Sequence, residues 1–219
     1  MRMSVLVASL SLAAGVLSLG AVAAQDPRLE RRLDPDTRAA VNAVIDSARV
    51  AGLPVEPLVD RALEGASKHA EPARIVAAVR RLAAELGTAR AALGAASTPA
   101  ELGTARAALG TASSQPELEA GASALRAGVR PADLTLLRHR RSRSLTIALA
   151  ALTDLVVSGV PADSAAAAVL ALASSARDDQ LLDFRRAVER DIALGAPPAA
   201  AAAVRVDAAI RQTPASRKP

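Results

Sequence analysis

Four short stretches of this chain are built alike: Gly52-Leu53-Pro54, Gly128-Val129-Arg130-Pro131, Gly159-Val160-Pro161 and Gly195-Ala196-Pro197. Each reads as the corner between two helices. A glycine just past a helix adopts the left-handed conformation that closes it, and the apolar residue after it packs back on the last turn. The proline then pre-sets φ for the next helix and lacks only an N–H that would be unpaired there. Two corners continue with an acid, Asp133 and Asp163, which suits the positive end of the following helix dipole. A chain with such corners folds as short antiparallel helices. They are corners in the structural sense and not DNA-binding motifs.

Composition agrees. The 219 residues include no Cys, Trp or Tyr, and Phe184 is the one aromatic. Alanine and leucine dominate, and both are strong helix formers, whereas the residues that favour strands are scarce. The expected class is all-α: short Ala/Leu-rich helices joined by Gly-x-Pro turns, as an irregular bundle or a degenerate α-hairpin array. The corner glycines lie 76, 31 and 36 residues apart. That fits a two-helix unit of ~35–40 residues with one corner missing from the first interval. Because alanine buries little area, each contact stabilises little at ~25 cal/mol per Å².

Helical stripes support this reading. Asp34-Pro35 opens one helix, with Val41, Val44, Ile45 and Ala48 on a face. Leu58, Val59, Ala62 and Leu63 mark a second. A longer helix starts at Glu71-Pro72 and carries Ile75, Val76, Val79, Leu82, Leu86, Ala89 and Leu93 as far as Gly94. Near the C-terminus, Leu181, Phe184, Val188 and Ile192 form another stripe behind Asp178 and Asp179. A last, Ala-rich helix near 197–211 carries Val204, Val206 and Ile210.

The eleven residues AELGTARAALG occur at 84–94 and again at 100–110. A period of sixteen advances ~160° beyond whole turns, so one continuous helix would turn the two copies to opposite sides. Thr98, Pro99 and Glu101 supply a break and a capping box between them. Identity extends to positions expected to face water, such as Glu85/Glu101 and Arg90/Arg106. Packing does not require that. The repeat reads as a tandem duplication and not as a binding epitope.

Residues 1–24 read as a secretory signal peptide. Arg2 precedes an uncharged apolar run, and Ala21-Val22-Ala23 and Val22-Ala23-Ala24 fit small-residue cleavage rules. Cleavage near Ala23 or Ala24 would deliver the protein to the periplasm or outside the cell. The alternative is retention as an anchor. No transmembrane span is expected in the mature chain, because its most apolar stretch, 145–160, is short and carries Asp154.

The remaining organisation is an N-terminal helical region (25–137) holding the duplication, a basic segment (138–144), a C-terminal helical region (145–211) and a tail (212–219) expected to be disordered. Between Arg126 and Arg143 stand six arginines and one aspartate, enough to account for the formal net charge of +5. Arg138, His139, Arg140, Arg141 and Arg143 are therefore the candidate contact for a protein or an anionic envelope component, lipid or polysaccharide. Their competing role is a solvated helix end. Nucleic acid is not expected, since no aromatic is near to stack on bases.

No catalytic signature is present: no H-E-x-x-H, P-loop, G-x-S-x-G or dinucleotide fingerprint. His69 and His139 are far apart in sequence, and Asp178, Asp179 and Asp183 read as a helix start and not as a metal site. The expectation is a non-enzyme without a cofactor: an exported bacterial structural or interaction module, or alternatively an envelope protein that binds polyanion through the arginines.

Overall fold

The computed structural model describes residues 26–94 and 113–212. The expected signal peptide, the second copy of the duplication with its capping box, and the tail beyond Gln212 lie outside the described residues.

The described residues form ten helices and no strands. In order they are α1 (Pro27–Arg32), α2 (Pro35–Val50), α3 (Glu56–Ser67), α4 (Pro72–Gly94), α5 (Gln115–Arg126), α6 (Pro131–Arg140), α7 (Thr146–Val157), α8 (Ala162–Leu172), α9 (Asp178–Ala193) and α10 (Pro198–Gln212). The class is all-α, as the corners and composition imply. None of the described helices is long and apolar enough to cross a membrane.

All four corner glycines take left-handed φ, from 68° at Gly52 to 101° at Gly128. Each closes its helix with the same bond pair. At the first corner Gly52 N–H donates to the Arg49 carbonyl and Leu53 N–H to the Ala48 carbonyl; Val129, Val160 and Ala196 repeat the second bond. The corner missing from the first interval is at His69. Its φ is +52°, and Ala70 N–H reaches back to the Gly65 carbonyl. His69-Ala70-Glu71-Pro72 matches the register of Gly128-Val129-Arg130-Pro131. With histidine in the glycine position, the sequence conceals it.

Packing follows chain order. Helices α2, α4, α6, α8 and α10 lie successively against one another in one row, and α5, α7 and α9 do so in a second. Helices α1 and α3 begin the second row, which parts between α3 and α5; both pack on α4 instead. Substantial contacts among the described helices join only next or next-but-one elements. This is the quasi-one-dimensional pattern of stacked helical hairpins, so the hairpin array describes the fold better than the irregular bundle.

The sequence stripes are the buried faces. Val41, Leu58, Val79 and Leu86 are fully buried in a first apolar cluster, and Leu149, Leu155, Val169, Leu181 and Val188 in a second. These clusters meet inside α4 and α5: Leu86 and Leu118 belong to the first, Leu93 and Ala124 to the second. The core thus divides across two helices and not at residues 138–144. Small residues allow close contact there. A Cβ added at Gly121 would stand 3.0 Å from Leu93 and 3.1 Å from Ala89. In α10 the sequence order is reversed: Ala201 and Ala202 are buried, while Val204 and Ile210 are exposed.

Candidate functional site

The basic segment forms the last turn of α6 and the loop into α7, and it divides by side-chain direction. Arg141 is only 2% exposed. Its Nε donates to the Ser144 carbonyl, Nη1 to the Ala173 and Ala176 carbonyls, and Nη2 to Asp178. It therefore joins the C-terminal end of α8 to the start of α9. Arg138 points the other way along the row. It donates to the Leu93 carbonyl at 3.0 Å, to Ser113 Oγ at 3.0 Å and to Glu117 at 3.1 Å. Arg90 repeats the device one helix earlier by donating to the Ala51 carbonyl of the α2 end.

Helix C-termini leave carbonyls unpaired and carry partial negative charge. Placing guanidiniums there meets both demands. Arg138 and Arg141 are thus staples between helix ends, and the expected five-residue contact reduces to His139, Arg140 and Arg143, which are exposed. Arg140 donates to the Leu170 carbonyl at 3.4 Å.

Glu117 completes the staple. Ser114 and Glu117 form the capping box of α5, a serine three residues before a glutamate that the sequence displays openly. Glu117 is 5% exposed and also accepts from Leu145 N–H at 2.7 Å. Burial pushes its carboxyl upward, but bonds from Leu145 and Ser114 N–H and the charge of Arg138 outweigh it and hold the group below its ordinary value.

Both imidazoles are exposed, and neither is hydrogen-bonded to a serine or aspartate among the described residues. Asp178, Asp179 and Asp183 do not converge on a common point; they pair with Arg141, Arg177 and Arg186 respectively. Among the described residues no group of three or more metal-ligating side chains forms.

A recess appears where the second row parts. It runs between α3 and α5 with α4 as its floor. One end, of 580 Å³, has Leu82 and Leu86 beneath, Glu56 and Asp60 on one side, and Glu119 and Ser123 on the other. The other end, of 320 Å³, is floored by Ala77 and Ala78 and ringed by Arg61, Arg74, Arg81 and Arg126, with one acid, Glu85, among them. Periodicity could not reveal this site, because its arginines belong to three helices whose adjacency is tertiary.

Fold and site together define a helical-hairpin stack with an open, charged groove. No family model, curated protein or solved structure matches this chain.

Proposed function

We propose that this chain is an exported bacterial interaction module, non-enzymatic, that presents the groove between α3 and α5 to a partner. The observation that carries the reading is the parting of the second row over α4, which leaves an open recess lined by three helices. A stack of hairpins serves such a role well, since each unit is braced by its neighbours and its surface is extended. The apolar run and small-residue end of residues 1–24 support export.

A photo-crosslinking residue at Ser123, on the groove wall, tests the module. It should give a discrete adduct in the envelope fraction of the native cell, while the same residue at exposed Arg186 gives none. Absence of an adduct at Ser123 overturns the reading. N-terminal sequencing of the fractionated protein tests export: a start at Ala24 or Gln25 is expected, and an intact Met1 in the cytosol refutes it.

A second reading keeps polyanion binding at His139, Arg140 and Arg143, favoured by their common exposure. It requires heparin retention that falls steeply with salt and is lost in Arg140→Ser/Arg143→Ser.

A further inference from the structure

The groove is not uniformly charged. At its acidic end Glu56 and Asp60 already face Arg28, at 2.8 and 3.8 Å. Glu64 is held there by Arg61 at 3.0 Å and Lys68 at 2.7 Å, and at the other end Glu85 is held by Arg126 at 2.6 Å. Arg74 and Arg81 differ. They are exposed, and neither side chain makes an ion pair or hydrogen bond among the described residues. They stand seven residues apart on α4, two turns along one face, with Ala77 and Ala78 between them leaving room. Arg61 and Arg126 close the ring from α3 and α5. Unmatched positive charge in the groove is thus concentrated at one end, while Glu119, which accepts only from the neutral Gln115 amide, leaves negative charge at the other.

Resting on the interaction-module reading, we infer that this arginine end receives the carboxylates of an acidic segment on a partner polypeptide. Guanidiniums bind carboxylates through paired N–H donors, and two with no internal partner are free to do so. The recess favours a peptide over a polyanionic surface. It is bounded by ridges on both sides, and Glu119 at its far end, with no ion-pair partner among the described residues, repels a uniformly anionic polymer or headgroup layer. From Arg74 to Leu86 the floor spans ~18 Å, which a helical segment of about twelve residues would cover.

The probe is a fluorescein-labelled peptide of about twelve residues, with four glutamates at one end and alanine and glutamine elsewhere. Its analogues carry glutamine or lysine in place of the four glutamates. Wild-type protein should bind the glutamate peptide at least about tenfold more tightly than the glutamine analogue, less so as salt rises. R74E/R81E should lose about tenfold or more toward the glutamate peptide and gain affinity for the lysine analogue, while R186E behaves as wild type. Both substituted side chains are exposed, so an unchanged circular dichroism spectrum is expected and is checked first.

No binding of the glutamate peptide, or binding by R74E/R81E within twofold of wild type, overturns the inference. So does Arg74- and Arg81-dependent binding to phosphatidylglycerol vesicles without peptide binding. A Ser123 adduct that persists in R74E/R81E would leave the groove as the contact and refute only its acidic partner; loss of every Ser123 adduct in wild type refutes the module itself.

Discussion

Removing sixteen residues from the duplication should leave the fold intact. Deleting 84–99 and deleting 95–110 yield the same polypeptide, because the two copies are identical. In that product α4 keeps every residue to Gly94, and only Thr111 and Ala112 connect it to Ser113. The structure says this is enough chain. Leu93 O and Ser113 Oγ each lie 3.0 Å from a nitrogen of Arg138. Those nitrogens share one planar guanidinium, which places the two oxygens within about 9 Å of each other. Four residue steps from Leu93 to Ser113 reach about 14 Å when extended. For a flexible linker, shortening the connection between Gly94 and Ser113 from eighteen residues to two would also lower its closure cost by up to about 2 kcal/mol. At ~2–4 °C per kcal/mol for a chain of this size, the thermal midpoint should be unchanged or up to about 8 °C higher. Melting followed at 222 nm, with urea titration alongside, reads this directly. A fall of more than about 5 °C would refute the reasoning, because the excised residues would then contribute packing that outweighs their closure cost.

Arg141→Met should destabilise by about 3 kcal/mol or more, since Asp178 and two helix-end carbonyls lose their partner, whereas Arg140→Ser and Arg143→Ser should stay within about 0.5 kcal/mol in urea titration. Comparable losses at all three would refute the division of the basic segment. Gly128→Ala should cost about 1 kcal/mol through backbone strain alone, as nothing lies within 4 Å of the added Cβ. At the fifth corner His69→Gly should gain about as much, because it relieves a left-handed φ; thermal melts with the opposite signs would contradict the shared corner geometry. Glu117→Gln should cost about 2 kcal/mol at pH 7. The folded carboxyl titrates below its unfolded value, so its contribution is present above about pH 4.3 and disappears as pH falls through the folded value. Stability of wild type and Glu117→Gln should therefore converge toward pH 2, and a gap that persists there would show that the charge is not what Glu117 supplies.

Much of the fold was legible in the chain. Glycine and proline at the corners act through local φ preferences, so Gly52, Gly128, Gly159 and Gly195 could be placed without knowing any neighbour. The stripes on α2, α3, α4 and α9 were legible for the same reason, since helical periodicity is local. His69 escaped because a left-handed histidine is rare and its corner depends on the packing around it. In α10 the large apolar residues suggested the wrong face: close packing against α8 selects the small Ala201 and Ala202, and the end of the row leaves Val204 and Ile210 exposed.

The charges were the hardest to read. In sequence, Arg138 to Arg143 form one basic run, and nothing distinguishes Arg141 from Arg143. Their roles are set by what lies opposite: carbonyls of the turn that follows α8 and an acid of α9 for one, solvent for the other. Conversely, Arg61, Arg74, Arg81 and Arg126 are scattered through the chain and gather only because α3 and α5 both pack on α4. Local backbone preference therefore determined the helices and their corners. The desolvation of a charge, and the company it keeps, depend on which helix ends stand side by side, and only the tertiary structure decided that.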